Sequence, residues 1–565
     1  MHRFAALYER LDRTTSTNEK VEALKGYFRT TPAEDAAWGL YFLAGEKIKR
    51  LVPTKRLKLW CMERAGVADW LFSASHQHVG DLAETITLLI DAHTREQEPL
   101  EPDRLGLRAW VEDRLLTLRG LSEEEQREKV LAWWDGLPRS ELFLFVKMLT
   151  GELRIGVTRT LVERALSELA GVEQSIVSHR LMGAWRPTPA FLERVLSHDQ
   201  SDDAGGEPGR PYPFFLASPV LPPDLPDDFA GDETEWVARE LGDPADWLAD
   251  WKWDGIRAQI IKRQGEVFLW SRGDENLTER FPEIVEAAAR LRDGTVLDGE
   301  LVCWMPGETA PMGFGVLQRR IGRKQLAPNV LREAPAALVA YDALEHEGRD
   351  AREEPIERRL EMLEQSLGPA EQRSEAIKLF EPFAFESWEA LAGLRAESRK
   401  RGVEGVMLKR KGSPYRAGRR RGDWWKWKIE PLTIDAVLVY AEPGHGRRAN
   451  LLTDYTFAVW EGEPGRGGEL ITVTKAYSGL SDEEFAELDR WIRTHTVDRY
   501  GPVRAVEPMQ VFELAFEGVR RSTRHKSGVA LRFPRMKRWR KDKPAAEADN
   551  IEAVWSMIGS DDESG

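Results

Sequence analysis

The sequence predicts a multidomain protein: an all-α N-terminal domain, then an α+β domain, then an all-β C-terminal domain. Three observations support that order. Apolar residues recur at helical spacing through about residue 200, a stretch rich in Gly, Pro and Asp follows, and short alternating segments dominate beyond it. At 565 residues the chain is also too long for one ordinary hydrophobic core.

The helical elements come first. "TNEKVEALKGYFRT" (17–30) opens on a capping pattern, and "DAAWGLYFLAGEKIKR" and "DLAETITLLIDAHT" carry apolar residues at helix period. "SEEEQREKVLAWWDGL", "SELFLFVKMLTGE" and "TRTLVERALSELAG" continue the pattern. No fixed period relates these segments, so the expectation is an irregular helical domain over 1–205 and not a solenoid.

"SDDAGGEPGRPYPFF" and "VLPPDLPDDFAGDE" read as linker. "RAQIIKRQGEVFLWSR" then reads as a hairpin, because apolar residues alternate on both sides of "RQGE". "TVLDGELVCW" and "AALVAYDAL" read as strands, "ERFPEIVEAAARLR" and "PIERRLEMLEQSL" as helices, and this α+β domain spans 206–430. "IDAVLVYAEPGHG", "LLTDYTFAVWE", "LITVTKAY" and "MQVFELAFEGVRR" are short strands at the spacing of a small barrel over 431–545, and 546–565 form a tail.

Composition narrows the class. No apolar run approaches the ~20 residues that span a bilayer, and "MHRFAALYERLDRTTSTNEK" turns charged too early for a secretory signal. Only Cys61 and Cys303 are present, which excludes a disulfide framework or a four-cysteine zinc module and fits a reducing cytoplasm. Net charge is −14, yet residues 520–543 hold eleven Lys and Arg against Asp542 alone, and 409–428 are similarly basic. Local basic stripes, and not the total, set affinity for phosphates.

Lys252, in "ADWKWDGIRAQ", is the candidate nucleophile. A lysine attacks only after losing its proton, and its free pKa is about 10.4, so apolar neighbours and nearby cations are what it needs. Trp251 and Trp253 flank it and point to the other face of a strand; Gly255 permits close approach, and Arg257 can clamp a phosphate. An ordinary strand end with a snorkelling lysine has the same six residues. Further on come Arg272 after a strand, Glu300 on a strand behind Gly299, Tyr341 closing a strand, Glu404 before an apolar strand, and Lys426 and Lys428 on one strand face. Two carboxylates hold a divalent cation or a ribose hydroxyl, an aromatic ring stacks on a base, and cations neutralise phosphates. Each residue taken singly is equally well a turn acid, a core ring or a solvated lysine.

Taken in order, "KWDGIR", "SRG", "LDGEL", "AYDAL", "EGVMLK", "WWKWK" and "RFPRMKRWRKDK" resemble the nucleotidyltransferase signature of the ATP-dependent DNA ligases. "GELRIGVTRTLVERAL" and the helices before it resemble the DNA-binding domain of the archaeal and eukaryotic-type members. "FELAFEGVRRSTRHKSGVALRFPR" resembles their OB-domain ending. The fold implied is a helical DNA-binding domain, an ATP-grasp-like nucleotidyltransferase domain and an OB-fold. The chemistry implied is nick sealing in double-stranded DNA by a monomeric cytoplasmic enzyme, with no membrane partner. RNA ligases and capping guanylyltransferases share the lysine motif, but the helical domain and the "RKDK" ending favour DNA. An NAD⁺-dependent ligase would need a four-cysteine zinc site that two cysteines cannot build.

The resemblance also implies roles. Lys252 takes AMP from ATP. Arg257, Arg272 and Glu300 hold the ribose and phosphate side, Tyr341 stacks on adenine and Asp250 touches it. Glu300 and Glu404 take Mg²⁺, or Mn²⁺ in its place. Lys426 and Lys428 meet the α-phosphate and Arg420 the nucleotide. Arg540 and Lys543 orient the pyrophosphate. Two positions depart from the family pattern: Asp250 stands where glutamate is usual, and Tyr341 where phenylalanine is usual. In the helical domain, Gly151, Arg154, Gly156 and Arg159 of "TGELRIGVTR" are expected to meet DNA, with the glycines at helix starts.

Overall fold

The computed structural model describes residues 1–94, 105–151, 153, 156–199, 208–221, 233–323, 326–380, 382–444 and 451–558. It resolves into two units, one formed by Met1–Ala165, Pro187–Leu192 and Pro431–Gly565, the other by Leu166–Arg186 and Glu193–Glu430. Leu166–Arg186, read from the sequence as part of the helical domain, thus group with the second unit.

In the first unit the elements described in the N-terminal segment are all helices. Ser16 caps the helix Thr17–Thr30, and a reciprocal Ser122–Glu125 capping box opens Glu123–Gly136, each satisfying backbone amides that the first turn leaves without partners. Phe4, Trp60, Trp110, Trp134 and Phe145 are fully buried in this segment. At roughly 1.5–3 kcal/mol for each large apolar side chain removed from water, such residues carry the stability of a helical domain.

The C-terminal segment of the same unit is β-rich. Strands Leu432–Pro443, Leu452–Glu461, Glu469–Ala476, Thr496–Tyr500, Val503–Val506, Val511–Phe516 and Arg535–Trp539 form one seven-stranded antiparallel sheet. The alternation read from the sequence is real: Leu438, Phe457, Phe512, Leu514 and Trp539 enter one core. The all-β expectation passed over the helix Asp482–Thr494, which buries Leu488 and Ile492 in that core. Its signal was present in the sequence as a second capping box, Ser481–Glu484.

The second unit positions the candidate site. Its strands are β1 (Phe215–Leu216), β2 (Ser218–Pro219), β3 (Trp247–Trp253), β4 (Ile256–Arg263), β5 (Glu266–Ser271), β6 (Thr295–Cys303), β7 (Ala336–His346), β8 (Arg349–Asp350), β9 (Ile377–Leu379), β10 (Val403–Arg410), β11 (Gly418–Arg419) and β12 (Trp424–Lys428). They make a four-stranded sheet in the order β2-β12-β10-β3 and a six-stranded sheet, β5-β4-β6-β7-β8, with β9 on β7. The 256–271 hairpin forms as predicted, turning through positive φ at Gln264 and Gly265. Part of the segment read as linker is structural: β1 pairs with β11, β2 pairs with β12, and Tyr212, Phe215 and Ala217 are buried beside Trp424 and Tyr415. Aromatic residues inside a Pro- and Gly-rich run are what the compositional reading undervalued.

"KWDGIR" is the corner between the two sheets. Lys252 lies one residue before the end of β3 in one, and Arg257 one residue after the start of β4 in the other. A Cβ on Gly255 would lie 2.4 Å from the Leu301 carbonyl oxygen, so no larger residue fits the corner.

Candidate active site

Alternation along β3 turns Asp250 and Lys252 to one face and Trp251 and Trp253 to the other. Trp251 packs 4.8 Å from Phe383, and Trp253 lies 5.6 Å from Trp304. On the opposite face Lys252 Nζ lies 2.5 Å from Glu404 Oε2, and Lys428 Nζ lies 3.2 Å from the same oxygen. Burial pushes the Glu404 carboxyl up, but the two ammonium groups outweigh it and hold it below the usual carboxylate range.

Glu300 answers differently. It sits on β6 directly opposite Arg257, and burial pushes its carboxyl up to about 8 against the pull of Lys252 and Arg257. One site therefore holds two carboxyls with proton affinities driven apart, a common feature of catalytic centres. Lys426, on the same face of β12 as Lys428, is lowered by burial and then by Arg419, Lys252 and Lys428.

A bulge makes this cluster possible. The β3–β10 register shifts between Val403 and Val406, and Gly405 adopts φ +138° with its absent Cβ only 2.3 Å from the Trp427 carbonyl oxygen. Strict alternation would put Glu404 and Lys409 on opposite faces. The extra residue brings Glu404 to Lys252 and Lys409 to Asp250.

Asp250 is 4% exposed; its Oδ2 lies 2.6 Å from Lys409 Nζ, and its Oδ1 has no hydrogen-bond partner among the described residues. Burial raises its carboxyl, with Lys409 opposing. Lys409 also lies 4.5 Å over the Tyr341 ring. Tyr341 stands in the middle of β7 and does not close the strand as the sequence suggested.

Three domain descriptions match the chain in order: DNA ligase N terminus over residues 1–167, ATP dependent DNA ligase domain over 234–428, and ATP dependent DNA ligase C terminal region over 448–543. A protein of Koribacter versatilis (strain Ellin345) named a probable DNA ligase is 32% identical over 99% of this chain and 97% of its own length. The chain belongs to the ATP-dependent DNA ligases. DNA ligase 1 of Korarchaeum cryptofilum (strain OPF8) is 28% identical over 97% of this chain and 96% of its own. The solved chain titled Pmar-Lig_PreS3 shares the fold at 17% identity, covering 95% of this chain and 99% of its own with a TM-score of 0.57. As a family member, this ligase uses ATP and acts on DNA. Among the described residues no helix is long and apolar enough to cross a membrane.

The structure gathers Asp250, Lys252, Glu300, Tyr341, Glu404, Lys426 and Lys428 into one site of the ligase, and shows five other residues in other settings. Arg257 does not stand free to clamp a phosphate. Its guanidinium bonds both oxygens of Asp298 (3.2 and 2.6 Å), Tyr415 Oη (3.2 Å) and the Phe215 carbonyl oxygen, so it anchors the floor of the site. Arg420 lines a separate cavity with Tyr212, Arg263 and Glu345; it is Arg419, paired in β11, whose charge reaches Lys426. Arg272 donates its backbone amide to the Arg257 carbonyl and leaves its side chain exposed. Arg540 and Lys543 belong to the first unit, where Asp435 Oδ2 accepts from both, at 3.0 and 2.7 Å.

Sequence reasoning missed Asp298, Lys409, Tyr415 and Arg419. Asp298 had a signal, because it shares a strand face with Glu300 in "LDGEL". In the helical domain Gly151 ends the helix Arg139–Thr150 in left-handed conformation; it does not start a helix, as had been expected. Arg159 is paired with Glu163 at 3.2 Å, and Arg154 lies outside the described residues.

Proposed function

We propose that this ligase seals nicks in duplex DNA through an AMP carried on Lys252. Lys252 Nζ attacks the α-phosphorus of ATP. The N–P bond forms, the bond to the bridging oxygen breaks, and pyrophosphate leaves with the bonding pair while Nζ gives up a proton. The nick's 5′-phosphate oxygen then displaces the lysine to take AMP. The 3′-hydroxyl finally attacks that 5′-phosphorus, loses its proton and expels AMP. The observation that carries this reading is the Lys252–Glu404–Lys428 cluster beside Glu300.

The chain's own residues divide the work. The buried Oδ1 of Asp250, an acceptor without a partner among the described residues, fits an exocyclic amine such as that of adenine, and Lys409 holds the carboxylate in place through its other oxygen. Tyr341 offers its ring to the base. Lys426 and Lys428 stand where a phosphate's negative charge gathers, on the face shared with Lys252. Arg540 and Lys543 assist pyrophosphate departure.

Glu300 and Glu404 fit a Mg²⁺ or Mn²⁺ ion of the kind that takes one or two carboxylates and completes its shell with phosphate oxygens and water, and no described residues form a larger ligand cluster. Held there, the ion would supply charge neutralisation at the phosphates.

Incubation with α-labelled ATP tests the reading. Label should stay on the chain through denaturing electrophoresis and be absent from Lys252→Ala. Sealing of a nicked duplex should vanish with it. Nick sealing that survives Lys252→Ala, or label accepted from GTP alone, would overturn the assignment.

A further inference from the structure

The other face of the nucleophile's strand borders a cavity of about 640 Å³ that the ligation chemistry does not use. Its apolar wall carries four aromatic rings among aliphatic residues: Trp251 and Trp253 from β3, Trp304 just after β6 and Phe380 just after β9. Trp253 stands 5.6 Å from Trp304 and 5.5 Å, edge on, from Phe380. The polar lining is cationic. Arg373, Lys378, Lys400 and Arg401 line it with Glu375 as the one acid among the described lining residues; Glu375 pairs with Lys378 at 2.6 Å, while Arg373 and Arg401 pair outside the lining with Glu364 (3.3 Å) and Glu397 (2.8 Å). Two of the cations sit over rings, Lys378 at 5.0 Å from Trp304 and Arg401 at 5.1 Å from Trp251. Lys400 is exposed and has no ion-pair partner among the described residues.

We propose that this cavity binds a free mononucleotide, with its base against the tryptophan rings and its phosphate against Lys400. Rings accept any base through its π face, and guanidinium or ammonium groups take phosphate through charge-assisted hydrogen bonds. The volume lies within the ~300–1,000 Å³ of small-ligand sites and suits one nucleotide better than a running strand. A purely apolar ligand would leave the Lys400 ammonium without a partner, and a bare phosphate would leave the rings uncovered. The site is separate from the ATP site: it lies behind Lys252 on β3 and is lined by Val403, the neighbour of Glu404 on β10. It does not depend on Lys252 being the nucleophile.

Photolabelling with 8-azido-AMP tests the proposal. The full chain is irradiated, digested and mapped, and a Lys400→Glu chain is treated in parallel, with its circular dichroism and its labelling by ATP as controls for fold and active site. The expected result is saturable label on peptides containing Trp304 or residues 373–401, blocked by excess AMP. Lys400→Glu should weaken that label about tenfold, the scale of one lost charge-assisted contact, while leaving labelling by ATP unchanged. Label confined to peptides with Lys252 or Tyr341 would overturn the proposal. So would label that Lys400→Glu leaves intact, or label blocked by a short oligothymidylate but not by AMP.

Discussion

Glu300→Gln should make the ligand-free protein more stable while abolishing its chemistry, and the gain should depend on pH. Burial raises the Glu300 carboxyl from 4.5 to about 8, so between those values the folded chain keeps a proton that the unfolded chain has released. Wild-type stability therefore falls as pH rises through that window; the contribution is fully present below it and lost above it. Glutamine carries no charge at any pH, so the difference between the two proteins follows this one titration. At 1.36 kcal/mol per tenfold change in proton affinity, the full displacement sets a ceiling of about 5 kcal/mol. Glu300 is only partly buried, and screening brings the expected gain to about 2–3 kcal/mol. Urea unfolding at about pH 5, 7 and 9, followed by tryptophan emission, reads it. The two proteins should be nearly equal at the lowest pH, and the variant more stable at the highest. An equal difference at every pH, or a wild type that is more stable at the highest pH, would refute the reasoning.

Asp298→Ala strands the Arg257 guanidinium in the protein and should cost about 3–5 kcal/mol in urea unfolding; a loss under about 1 kcal/mol would mean that Arg257 finds water instead. Asp250→Ala removes the partner of Lys409, itself 2% exposed, and the proposed adenine acceptor, so the ATP concentration for half-maximal labelling should rise together with the loss of stability; an unchanged ATP dependence would remove Asp250 from the nucleotide site. Gly405→Ala forces a Cβ into the Trp427 carbonyl and should abolish labelling by ATP, with about 2 kcal/mol or more of destabilisation; normal labelling would show that the bulge is dispensable. Arg540→Ala with Lys543→Ala should slow AMP transfer from ATP more than sealing by pre-adenylated enzyme, and equal losses would exclude a role in pyrophosphate departure.

Much of the site was legible because it is built on strands. A period of two puts Lys426 with Lys428 and turns Trp251 and Trp253 away from Lys252, and these relations survive in the structure. Capping residues likewise fixed where helices begin at Thr17 and Glu123. The same rule misled wherever geometry broke the period or a side chain had a choice of partners. Arg420 and Arg419 are adjacent cations in "GRRRG", and only the pairing of β11 with β1 shows which one serves Lys426.

The sequence by itself determined the order of the domains, the candidate nucleophile and the set of charged residue types around it, because these follow from local periodicity and from motifs read in order. Only the tertiary structure decided which partner each charge takes. Arg257 turned inward because Asp298 on the neighbouring β6 and Tyr415 from the segment between β10 and β11 lie within hydrogen-bond reach. Glu404 reached Lys252 because one glycine, free to adopt φ +138°, shifts the register of β10 by a residue. Such choices are made by contacts between residues far apart in the chain, 41 positions for Arg257 and Asp298 and 152 for Lys252 and Glu404, and no local pattern encodes them.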